Sequence, residues 1–136
     1  MKEFLIASLF LALLPQLSFS EDQITVRIFG KIADPGEKQI SKETGIVDLI
    51  YQSGGVVRGG CPACCTVKEI TESGARQIEV DAYEIVMKNK KDFRLKDNHT
   101  IWMPEHVFGH LDWKEIQKFN EMLPAYLKNR KSIKAE

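Results

Sequence analysis

The sequence predicts an α+β fold, a mixed sheet with a helix laid across one face and a helical extension at the C-terminal end. Three observations predict it. Short segments of alternating apolar and polar residues come as two pairs, each closed by turn residues. Between the pairs lies a segment whose apolar residues recur at helical spacing. After the second pair come a short helical segment, one more strand and a long amphipathic stretch.

The elements follow in order. Ile24, Val26 and Ile28 alternate with Thr25 and Arg27, the period of a half-buried strand, and Gly30 to Ile32 continues it. Asp34-Pro35-Gly36 is a turn, because proline presets φ and glycine accepts positive φ. Residues 38–40 return as the partner strand. Thr44 is placed to cap a helix carrying Ile46, Val47, Leu49 and Ile50. Gly54-Gly55 ends that helix in a left-handed position. Residues 56–64 form a loop rich in Gly, Pro and Cys. Residues 65–70 read as a strand, Glu72-Ser73-Gly74 as a hairpin turn, and residues 77–80 as its partner. A short helix is expected over 81–87. Residues 93–95 lead into the polar turn Lys96-Asp97-Asn98-His99, and residues 100–103 form a last strand stopped by Pro104.

The remainder is helical. Asp112 and Glu115 have the spacing of a capping box, with Leu111 and Ile116 placed as its hydrophobic staple. Trp113, Ile116, Phe119 and Leu123 make one stripe, and Tyr126 and Leu127 complete it. Pro124 disfavours helix at Leu123, so a kink or a fresh start is expected there. The final stretch, with Lys128, Arg130, Lys131 and Lys134 against only Glu136, reads as a frayed, solvated basic tail. The order hairpin, helix, hairpin, short helix, strand is that of a β-grasp (ubiquitin-like) sheet.

Composition narrows function by exclusion. Of 136 residues, 19 are basic and 19 acidic, so no global field draws in nucleic acid. A mean hydropathy of −0.23 with 28% charged residues argues against an integral membrane protein. Residues 4–14 form an apolar run shorter than the ~20 residues that span a bilayer. Pro15 breaks it, and Ser18-Phe19-Ser20 puts small residues where a signal peptide is cut. The expected organisation is a signal peptide over 1–20, a sheet domain over 21–108 and a helical extension over 109–136. No transmembrane segment is expected in the mature chain. The mature chain is then expected beyond the membrane, in an oxidising compartment.

Three stretches together resemble a known family. They are Val26-Arg27-Ile28-Phe29-Gly30-Lys31-Ile32 followed by Pro35-Gly36, then Ile46 through Gly54-Gly55, and last Phe93-Arg94-Leu95-Lys96-Asp97-Asn98-His99-Thr100-Ile101-Trp102-Met103-Pro104-Glu105. Their order and spacing over residues 24–107 resemble the soluble-ligand-binding β-grasp (SLBB) domain, in the version found in bacterial polysaccharide export proteins. The family usually has Gly-Asp where this chain has Asn98-His99, and asparagine also tolerates the left-handed turn. The resemblance implies a binding or assembly domain accessory to polysaccharide export or cell-envelope assembly. It would not itself be a channel. Its partners would be a polysaccharide or an envelope or export-system protein, with self-association as a further expectation. No catalytic residue, metal or cofactor is implied. By position, the expected contact residues are Gly54, Gly55 and Arg58 in the loop after the helix, and Asp97, Asn98 and His99 in the turn before the last strand.

Cys61-Pro62-Ala63-Cys64-Cys65 admits three readings. A local disulfide from Cys61 to Cys64 or to Cys65 would pin an exported loop; adjacent Cys64 and Cys65 bridge only with strain. A thiol–disulfide active site is the alternative function, although such motifs open a helix and this one follows Gly59-Gly60 and precedes a strand. A zinc site would join these cysteines with His99, His106 or His110, but no second Cys-x-x-Cys pair exists. Carboxylates are scattered and no nucleophile signature accompanies the histidines, so the expectation is a protein that binds without catalysing.

Overall fold

A computed structural model of the chain describes residues 22–105 and 111–134. The expected signal peptide, His106 and His110 lie outside the described residues.

Strands β1 (Gln23–Gly30) and β2 (Gly36–Ser41) form the first hairpin, with Arg27 opposite Glu37 and Thr25 opposite Gln39. Helix α1 (Ile46–Gln52) follows. A 3-10 turn, Pro62–Cys64, leads into the second hairpin, β3 (Cys65–Thr71) and β4 (Gly74–Val80). Helix α2 (Ala82–Met87), strand β5 (Thr100–Met103) and helix α3 (Trp113–Lys134) complete the chain. The five strands form one sheet in the order β2-β1-β5-β3-β4, with β5 parallel to β1 and antiparallel to β3. This is the α+β, β-grasp arrangement. The last strand inserts between the two hairpins, so the ends of the chain's sheet meet at its centre.

Alternation sends Val26 and Ile28 of β1, Val67 of β3, and Ile101 and Met103 of β5 to one face, where all are fully buried. Ile46, Val47, Leu49 and Ile50 of α1 and Ala82, Ile85 and Val86 of α2 close the same core. Helix α3 belongs to it as well: Ile116, Phe119, Leu123 and Tyr126 are buried in that one cluster. The stripe read from the sequence is therefore the inner face of a third core helix. Its capping box is formed, with Asp112 Oδ1 accepting from the Glu115 N–H at 2.9 Å and Glu115 Oε2 from the Asp112 N–H at 2.8 Å.

Three local expectations are corrected. Thr44 does not cap α1; the helix starts after Gly45, and the Asp92 carboxylate accepts from the Val47 N–H at 3.2 Å. The Ile46 N–H goes to the Phe93 carbonyl at 2.9 Å. The cap thus comes from the segment before β5 and ties it to α1. No fresh start occurs at Pro124, which lies inside one continuous 22-residue helix. The proline removes one intrahelical bond, and the helix is anchored on both sides of it. Leu123 is buried before it, the Tyr126 hydroxyl donates to the Lys90 carbonyl at 2.7 Å after it, and Arg130 pairs with Asp48 of α1. The final basic stretch is not a frayed tail, since the same helix continues through it to Lys134.

Candidate functional site

The six residues expected to contact a ligand fall into two separate groups. Gly54 and Gly55 end α1 with φ of +84° and +87°. The chain then runs beside the end of β1, with the Ala33 N–H on the Gly55 carbonyl at 3.0 Å and the Val57 N–H on the Lys31 carbonyl at 3.2 Å. Asp97 and Asn98 sit at the other end of β1, where Asp97 Oδ1 accepts from the Thr25 N–H at 2.8 Å. Between Thr25 and Gly30 a strand rises about 17 Å. The two groups do not form one site.

Both groups are also committed to structure. The Asn120 side chain of α3 takes the Val56 N–H and carbonyl, each at 2.9 Å. The Arg58 guanidinium lies 5.5 Å over the Trp113 ring. The Cys61 N–H bonds the Pro104 carbonyl at 2.9 Å. The loop is thereby stitched to α3 on one side and to the end of β5 on the other. In the turn, Asn98 takes φ +65°, the left-handed position expected of it.

His99 is corrected from a contact residue to an interior one, since only 2% of it is exposed. Its Nδ1 accepts from the Lys96 N–H at 3.1 Å, which leaves the ring proton on Nε2, 3.8 Å from Glu69 Oε1. Burial holds its pKa below the ordinary 6.5, against the opposing pull of Glu69 and with Lys96 and Arg76 adding to the depression. The sign follows. As pH falls below 6.5 the unfolded chain takes the proton before the folded one, so stability is full above that pH and declines beneath it. Urea midpoints measured from pH 7.5 to 5 are expected to fall in the wild type and to stay flat in a His99→Gln variant. An equal slope in both would remove His99 as the cause.

Cys61 and Cys64 are joined in a disulfide, and Cys65 is a free thiol. Of the two pairings the sequence left open, the first is formed. Cys65 is buried, its thiol donates to the Pro62 carbonyl at 3.3 Å, and burial pushes its pKa to about 12. It is therefore an inert core thiol at neutral pH. The disulfide spans one 3-10 turn that feeds directly into β3. Cys61 is buried and the accessible half is Cys64, at the end of that turn. The double variant Cys61→Ala, Cys64→Ala is expected to lose about 2 kcal/mol of unfolding free energy through the freed loop. An unchanged urea midpoint would show that the bridge adds nothing. With two thiols bonded, the zinc set is broken, and among the described residues no group of three His, Cys, Asp or Glu is arranged to hold a metal.

The surface that is open lies on the sheet. All three helices cover the face of Val26 and Ile28, and the opposite face carries none of the buried residues. Register sets out its rows. Phe29 of β1 stands beside Trp102 of β5, and Trp102 beside Thr66 of β3. The next row runs Glu37, Arg27, Thr100, Lys68 and Gln77 across all five strands. Phe29 is 39% exposed and Trp102 51%, so two large rings face outward on adjacent central strands. Arg27 is paired with Glu37 at 3.2 Å. Sequence reasoning passed over this pair. The signal was the alternation itself, which puts Phe29 out of phase with Ile28, and Trp102 out of phase with Ile101 and Met103.

No family model matches this sequence, and neither does any curated protein.

Proposed function

We propose that this chain is a non-enzymatic binding and assembly domain, accessory to a polysaccharide export or cell-envelope system, and that it works through its open sheet face. The observation that carries the reading is the adjacent pair Phe29 and Trp102. A lone exposed aromatic is ordinary, but two in register on central strands hold apolar surface in water at the middle of a rigid sheet. The strands present its side chains without loop ordering. Two features of the sequence support the envelope setting: the apolar run over residues 4–14 and the motif resemblance to SLBB domains, which is an argument by analogy. The left-handed Asn98 stands where that family has glycine, and supports the same resemblance.

The test is co-sedimentation of the purified chain with envelope vesicles from the cells that make it. The wild type is expected to pellet with the vesicles. A Phe29→Ser, Trp102→Ser double variant, whose changes lie outside the core, is expected to stay in solution. Equal pelleting of the two would move the binding surface off this face.

A further inference from the structure

We propose that His99 is the trigger of an acid-operated clasp, in which protonation of its ring opens the turn that ties the first strand to the last. Its action does not depend on what the open face binds.

The clasp is the turn of residues 96–99, which leads into β5. The Asn98 N–H donates to the Thr25 carbonyl at 2.8 Å, and the Asp97 carboxylate accepts the Thr25 N–H at 2.8 Å. The Arg27 N–H goes to the His99 carbonyl at 3.0 Å. Three bonds thus hold β1 to this turn. The turn is closed by two more, from the His99 N–H to the Lys96 carbonyl at 3.2 Å and from the Lys96 N–H to His99 Nδ1 at 3.1 Å.

The last of these bonds requires a neutral ring. Nδ1 accepts in it, so the single ring proton sits on Nε2. A second proton can enter only at Nδ1. It sets one N–H against another, with no acceptor between them, on a ring that is 2% exposed. Protonation therefore removes the bond rather than weakening it.

The structure also holds the position that the charged ring takes. Nε2 is buried, has no hydrogen-bond partner among the described residues, and lies 3.8 Å from Glu69 Oε1. Closing that gap by about 1 Å makes a charge-assisted hydrogen bond. Three charged groups face the ring. Glu69 of β3 favours its protonation, while Arg76 of β4 and Lys96 of the turn oppose it. Arg76 is itself paired with Glu69 at 2.9 Å, and Lys96 Nζ lies 4.0 Å from the same carboxylate. The Phe93 ring, stacked at 6.3 Å, adds no charge. The imidazole thus has two partners, the Lys96 backbone when neutral and the Glu69 carboxylate when charged. Burial opposes the charged form, so the clasp opens below pH 6.5.

The experiment is NMR of the labelled full chain from pH 7.5 to 4.5, reading amide protection factors corrected for the intrinsic pH dependence of exchange. Protection at Thr25, Lys96 and Asn98 is expected to fall about tenfold, the most that one bound proton produces per pH unit. Val67 and Ile101, in the central strands, are expected to keep theirs. His99→Gln offers Lys96 a carbonyl and cannot take a proton, so its clasp is expected to stay closed. Glu69→Gln removes the partner of the charged ring and is expected to move the opening to lower pH. Unchanged protection in the wild type, or an equal fall in His99→Gln, would overturn the inference. So would a fall shared by Val67 and Ile101, which is global unfolding, or an opening that Glu69→Gln does not move. Ring nitrogen shifts of the wild type give a check that needs no variant: a neutral ring with its proton on Nδ1 at pH 7.5 would overturn the clasp outright.

Discussion

Truncating Phe119 to alanine is expected to lower the unfolding free energy by about 3–5 kcal/mol. Among the described residues Phe119 is the largest fully buried side chain, and it sits midway along the inner stripe of α3. Its ring stacks with Tyr83 of α2 at a centroid distance of 6.1 Å. Its neighbours on the stripe, Ile116 and Leu123, are fixed in the same core and cannot collapse into the space it leaves. Domains of this size hold only about 5–15 kcal/mol in reserve, so the variant would sit near the edge of folding. Urea denaturation reads the change. A loss below about 1 kcal/mol would mean that α3 is an appendage on a self-sufficient sheet rather than a third core helix.

Replacing Gly30 by alanine is the second large change, and it acts on the centre of the sheet. Gly30 has φ +95°, and a Cβ there would stand 2.1 Å from the Met103 carbonyl oxygen. That oxygen is backbone, and it accepts the Lys31 N–H at 2.9 Å where β1 leaves β5. It cannot swing aside as a side chain would. The methyl group must push β1 and β5 apart at the Gly30–Met103 pair, next to the row that holds Phe29 and Trp102. A loss of at least about 2 kcal/mol is expected, from backbone strain and the broken pairing together. Gly36→Ala is the control. Its φ is +133°, but nothing lies within 4 Å of the added carbon, so only the conformational cost remains. Equal losses at the two positions would show that the contact with Met103 carries no weight.

Local periodicity carried much of the fold. The alternation of Ile24, Val26 and Ile28, the spacing of Ile46 to Ile50, and the strand ended by Pro104 all mark elements that the structure contains. Asp112 with Glu115 marked the start of α3 for the same reason, since a capping box is complete within four residues. What stayed hidden depends on residues far apart in the chain. Asp92 caps α1 from 45 positions away, and nothing near Thr44 announces it. The tertiary hold on both sides of Pro124 overrides a local rule that is correct for an isolated helix. His99 lies in a polar run and reads as a surface residue, yet the turn folds its ring under Lys96 toward Glu69.

The candidate site shows the same division. Gly54, Gly55, Arg58, Asp97 and Asn98 were singled out because loops commonly carry function. The structure uses them to join the hairpins, α3 and β5. Phe29 and Trp102 are each unremarkable in sequence, because a single outward aromatic is common. Only the parallel pairing of β1 with β5 sets them side by side, and that pairing joins the first strand to the last.

The proposed recognition lies on the open face and not at the loops. The most direct measurement is a backbone amide NMR titration of the labelled chain with solubilised envelope material from the cells that make it. Shifts are expected to be confined to β1, β5 and β3, strongest around Phe29, Thr66 and Trp102. Shifts centred on residues 54–65 or 96–99, with the sheet unmoved, would contradict it.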